Sequence, residues 1–78
     1  MQADELKKII EDGIPSAQVT VQGDGDHFEA TIVSPDFEGK SKVQQHQMVY
    51  SALGDLMQSA VHALSFRTFT PEDWSKQL

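Results

Sequence analysis

Cysteine is absent from the 78 residues. That absence excludes a disulfide framework, a thiol nucleophile and any metal site built from the chain's own thiolates. Basic residues are scarce as well: six Lys and Arg stand against twelve Asp and Glu, for a net charge of −6. General affinity for nucleic acid rests on neutralising phosphates with such cations, so the balance counts against it. No apolar run approaches the ~20 residues of a membrane-spanning helix, and Met1 is followed by no signal-peptide pattern. The expectation is a mature domain that works in the cytoplasm, away from membranes.

A chain this short buries only about 60% of its unfolded surface, so residues 1–78 are read as a single domain with a small core. Hydrophobic residues make up 38% and charged residues 23%, which is a globular rather than a disordered composition. The most strongly patterned stretch runs from Phe37 to Met57. From Ser41 onward Val43, His46, Val49, Tyr50, Leu53, Leu56, Met57 and Ala60 recur at helical spacing, with Gln44, Gln45 and Gln47 opposite. The face of Val43, Tyr50, Leu53 and Met57 is therefore expected to be buried. Ser41 with Gln44 three residues later forms a capping box. His46 falls inside the apolar stripe, where a partly buried histidine with a satisfied hydrogen bond is expected.

The remaining elements follow from local chemistry. Residues 3–12 read as a first helix, with Leu6, Ile9 and Ile10 as its stripe and Gly13 as its left-handed stop before Pro15. Residues 17–22 alternate around Val19 and Val21, and residues 27–34 around Phe28, Ala30 and Ile32. Between them Gly23-Asp24-Gly25-Asp26 makes a hairpin turn, both glycines being free to take positive φ. Residues 61–70 have the composition of a third strand, with Leu64 and Phe66 on one face. Thr70 caps a short last helix with Pro71 at its first position, and Trp74 is expected to fold back on the core. The order α-β-β-α-β-α implies an α+β fold, a mixed three-stranded sheet with helices on one side. It resembles the class II K-homology sandwich.

Few motifs survive inspection as chemistry. Gly39-Lys40-Ser41 opens a helix, but a phosphate loop needs a glycine where Ser34 stands. Asp24-Gly25-Asp26 lacks the remaining ligand spacing of a calcium loop. No nucleophile-base constellation can be assembled, and so small a domain has little room for an enzyme's pocket. The histidines remain: imidazole binds zinc, copper or iron, and two histidines replace two cysteines at one iron of certain 2Fe-2S centres. His27 and His62 stand at strand edges beside turns, where an ordinary surface role is the simpler reading of each alone. Lys40, Lys42 and Arg67 could form a small basic spot.

Several ordered blocks resemble the BolA family, and more closely its IbaG-like bacterial branch. They are Gly23-Asp24-Gly25-Asp26-His27-Phe28, Phe37-Glu38-Gly39-Lys40-Ser41, Val49-Tyr50, Val61-His62-Ala63-Leu64-Ser65 and Thr70-Pro71-Glu72-Asp73-Trp74. The resemblance covers nearly the whole chain and implies the same α-β-β-α-β-α fold. It further implies a monothiol glutaredoxin as partner and a bridging 2Fe-2S cluster shared with it and with glutathione, in a role in cluster trafficking, iron homeostasis or stress response. The family's cluster-binding histidine maps onto His62 and its hairpin-loop ligand onto His27; none of the cluster is expected in the isolated chain, a monomer or weak homodimer. The alternative that the resemblance carries is a nucleic-acid-binding transcriptional regulator, contacting phosphates through Lys40, Lys42 and Arg67. Gln45 stands where many BolA-like proteins have arginine, which removes one cation from that surface.

Overall fold

The computed structural model describes residues 2–24, 26–56 and 63–77. Helix α1 (Ala3–Gly13) begins after Gln2, whose backbone N–H donates to the Glu5 carboxylate at 3.3 Å. Strands β1 (Gln18–Gly23) and β2 (His27–Val33) pair antiparallel as a hairpin. A turn of 3-10 helix (Pro35–Phe37) follows, capped by the Ser34 hydroxyl, which accepts from the Asp36 N–H at 3.0 Å. Helix α2 (Lys42–Leu53), strand β3 (Ala63–Phe69) and helix α3 (Pro71–Ser75) complete the chain. β3 pairs with β2 in parallel, so the sheet is mixed and ordered β1-β2-β3. This is the expected α+β architecture.

One face of the sheet carries the core. Val19, Phe28 and Ile32 pack with Leu6 and Ile10 of α1 and with Val49 and Leu53 of α2. On the other face Thr20, Gln22, Glu29, Ser65 and Arg67 are exposed. The Thr70 hydroxyl accepts from the Asp73 N–H at 3.1 Å, as the cap at the start of α3 requires. Trp74 then sets its ring 5.2 Å from that of Phe69 and closes the end of β3.

Gly13 is needed for space rather than for a left-handed stop. It is the last residue of α1, Ile14 is the cap, and a Cβ on Gly13 would stand 2.4 Å from the Ala52 Cβ of α2. Gly23 serves likewise: its Cβ would meet the His27 carbonyl oxygen at 2.4 Å, and its φ is not positive; Gly25 lies outside the described residues. Positive φ occurs instead at Gly39 (76°), in a type II turn closed by the Lys40 N–H on the Phe37 carbonyl at 3.2 Å.

α2 has the expected capping box, with the Gln44 N–H on the Ser41 hydroxyl at 3.2 Å and the Ser41 N–H on the Gln44 side chain at 2.9 Å. Its buried face overlaps the expected one at Val49 and Leu53 but is turned toward Gln45. Val43 is 67% exposed and Tyr50 49%, whereas Gln45, Val49 and Leu53 are buried. Gln45 can be inside because its polar atoms are satisfied there: its amide donates to the Phe37 and Lys40 carbonyls at 3.2 and 3.0 Å and accepts from the Thr68 hydroxyl at 2.7 Å. The helix stops before Gly54, and Met57 and Ala60 of the predicted stripe lie outside the described residues.

Candidate functional site

The turn of the hairpin is tied by one carboxylate. Asp24 Oδ1 accepts from the N–H groups of both Asp26 and His27 at 3.1 Å, while the Asp24 N–H reaches back to the His27 carbonyl at 3.3 Å. The His27 N–H, followed by that of Asp26, holds the Asp24 carboxyl below its ordinary value. His27 opens β2 with its side chain exposed, on an open depression of about 320 Å³ lined also by Gln22, Gly23, Asp24 and Glu29. No hydrogen bond occupies its imidazole among the described residues.

The parallel register sets His27 opposite Ala63, the first described residue after His62. His62 itself, the first of the expected ligands, lies outside the described residues. Among the described residues no three His, Cys, Asp or Glu side chains converge as a metal cage.

At the opposite end of the sheet, two of the three predicted cations meet. Lys42 Nζ donates to the Thr68 carbonyl and lies 5.0 Å from the centre of the Phe69 ring; Arg67 Cζ lies 5.8 Å from the same ring. Lys40 is exposed on the adjacent turn, its carbonyl held by Gln45. Among the described residues neither Lys40 nor Arg67 has a carboxylate partner. His46 is half-buried with its ring 4.8 Å from that of Phe66, and Tyr50 meets Phe66 edge-on at 5.4 Å. That ring contact, and no hydrogen bond among the described residues, accounts for His46. The sequence reading treated Asp24 as part of a solvated turn and missed its grip on His27. The signal was its place three residues before His27, the spacing at which an aspartate bonds backbone N–H groups ahead of it.

A family model described as BolA-like protein matches residues 5–73. The DNA-binding transcriptional regulator BolA of Haemophilus influenzae is 43% identical over 56 residues, which cover 72% of this chain but 54% of that protein. The acid stress protein IbaG of Escherichia coli is 31% identical over 77 residues, 97% of this chain and 92% of that protein. A solved bolA protein homologue from Coxiella burnetii superposes with a TM-score of 0.87 at 42% identity, covering 96% of this chain and 97% of that one.

Proposed function

The chain belongs to the BolA-like protein family, and from that premise we infer that it is a non-enzymatic adapter which shares a bridging 2Fe-2S cluster with a monothiol glutaredoxin. The cluster is cargo, passed on in cluster trafficking or iron homeostasis, and the cytoplasm is where the pair works. The observation that supports this reading is the exposed His27 imidazole, unbonded among the described residues, on an open depression. His27 and His62 donate nitrogen; the partner's cysteine and a glutathione thiolate supply the sulfur that a chain without cysteine lacks. Carboxylates at Asp24 and Glu29 line the same depression and leave it a poor site for phosphate.

The test mixes the chain with a monothiol glutaredoxin, glutathione, iron and sulfide, and reads visible absorption and circular dichroism. Glutaredoxin can assemble a cluster with itself, so the informative signal is the histidine-dependent spectrum of the mixed complex. His62→Ala loses that spectrum, His27→Ala shifts or partly loses it, and folded His46→Ala leaves it unchanged. Acidification weakens the complex, because only neutral imidazole binds metal. A folded His62→Ala protein with the wild-type spectrum refutes the ligand assignment.

A second reading, a nucleic-acid-binding regulator, draws support from the convergence of Lys42 and Arg67 on Phe69 and from the relative named as a DNA-binding regulator. Three cations give at most a slope of about −2.7 in log K against log salt, or roughly 40-fold weaker binding between 50 and 200 mM. Fluorescence anisotropy on duplex DNA measures it. Tight, sequence-selective binding that persists at the higher salt places regulation first.

A further inference from the structure

The hairpin turn has a polar anchor that the adapter reading does not use. We propose that Asp24 is a positioning residue, which fixes the backbone at Asp26 and His27 so that His27 is presented to the shared cluster in a preset orientation. The inference rests on the adapter reading for what His27 meets, and on geometry for how His27 is held.

Three observations carry it. First, Asp24 Oδ1 takes two N–H groups at once, those of Asp26 and His27, both at 3.1 Å. The second belongs to the ligand residue itself, so the carboxylate acts one covalent step from the His27 Cα. Second, the Asp24 N–H donates to the His27 carbonyl at 3.3 Å, so His27 is held on both sides by one residue. Third, Gly23 admits the chain so closely that a Cβ there would meet the His27 carbonyl oxygen at 2.4 Å and the Phe28 ring at 2.5 Å. Phe28 is 1% exposed, so the residue after His27 is fixed in the core. His27 thus has a rigid strand behind it and a tied turn before it. An exposed ligand on a loose turn gives up orientational freedom when it binds; one held beforehand gives up less.

The two hydrogen bonds need an oxygen acceptor at the Oδ1 position, and the carboxylate charge strengthens them. Asparagine keeps an oxygen there, glutamine moves it one methylene away, and alanine removes it. Amide hydrogen exchange on the free, isotope-labelled chain reads the tie directly. A hydrogen bond of ordinary strength corresponds to about 2- to 12-fold in an opening equilibrium. Asp26 and His27 should lose protection by that factor in Asp24→Ala and Asp24→Gln and keep part of it in Asp24→Asn. Thermal midpoints should stay together, because the turn is exposed and outside the core. In the mixed complex with glutaredoxin, Asp24→Ala and Asp24→Gln should weaken partner affinity and alter the circular dichroism that His27→Ala also alters; Asp24→Asn should fall between those variants and wild type in both. Asp26→Ala, which removes a carboxylate but no acceptor of these bonds, should match wild type.

The outcomes separate. Wild-type protection of the two amides in Asp24→Ala overturns the proposal on the free chain, whatever the cluster does. A wild-type complex from Asp24→Ala and Asp24→Gln beside an altered one from His27→Ala overturns the proposal and leaves the adapter reading standing. An unaltered complex from His27→Ala overturns the role of His27, and with it the purpose of the tie. Should Asp24→Ala fail to fold, Asp24→Gln against Asp24→Asn decides with the same readouts.

Discussion

Replacing Gln45 removes three hydrogen bonds from a side chain that is 5% exposed. Gln45→Met keeps the length and apolar stem of the side chain, so it isolates the polar loss from a cavity. An ordinary intramolecular hydrogen bond contributes about 0.5–1.5 kcal/mol net, and a buried group left without a partner costs about 1–3. The Thr68 hydroxyl, 1% exposed, loses its acceptor, while the Phe37 and Lys40 carbonyls lose a donor at the mouth of the turn. The sum is about 2–4 kcal/mol. A domain of this length has about 4–12 kcal/mol in all, so the loss is a large fraction of the total. At a urea dependence near 1 kcal/mol per molar, the midpoint should fall by about 2–4 M. Thr68→Val tests the network further. Made second, it should cost less than in the wild-type background, because its partner is already gone; a coupling of about 1 kcal/mol is expected. A Gln45→Met protein within ~0.5 kcal/mol of wild type, or strict additivity with Thr68→Val, refutes the reasoning and returns Gln45 to the solvent face.

Leu53→Ala should cost about 2–5 kcal/mol, since Leu53 is 2% exposed in the core, while Val43→Ser should stay within about 0.5 kcal/mol in the same denaturation series. Gly13→Ala should destabilise by about 1–3 kcal/mol despite alanine's better helix propensity, because its Cβ would stand 2.4 Å from that of Ala52; an unchanged midpoint would mean that α1 and α2 separate freely. The Asp24 carboxyl is depressed below the ordinary 3.8, so the stability it lends the turn is fully present above that value and is lost as pH falls through its lower folded pKa. The Asp26 and His27 amide resonances should therefore shift together over that window, and motion of one without the other contradicts the shared acceptor.

The strands and caps were legible because their signals are local. Alternation around Val19, Phe28 and Ile32 found the hairpin, and Ser41 with Gln44 found the start of α2. The orientation of α2 was not legible, for a physical reason. Two rows run along it at helical spacing, one through Val43, His46 and Tyr50 and one through Gln45, Val49 and Leu53. Each holds two apolar residues, so counting them cannot choose between the rows. What decides is Thr68, 23 residues from Gln45, whose hydroxyl makes burial of a glutamine affordable in free energy. Phe69 meets Lys42 by the same kind of long-range contact, and Arg67 by the two-residue period of β3. For the candidate ligands, the sequence placed His27 at the end of the turn, but the turn's internal bonding appears only with the backbone in hand.

The parallel pairing of β2 and β3 keeps the two candidate surfaces apart. His27 stands opposite Ala63 at one end of the sheet and Val33 opposite Phe69 at the other. Six residues of strand separate those rows, about 20 Å at ~3.3 Å per residue. Lys42 meets Phe69 in the far row and Arg67 stands opposite Thr31, four residues or about 13 Å from the His27 row, so both lie beyond the ~8 Å screening length at physiological salt. Charge does not divide as cleanly: Asp24, Asp26 and Glu29 lie at the hairpin end, and the cations at the Phe69 end share it with Asp36, Glu38, Glu72 and Asp73. The adapter and regulator readings therefore rest on different residues, His27 for the first and Lys40, Lys42 and Arg67 for the second.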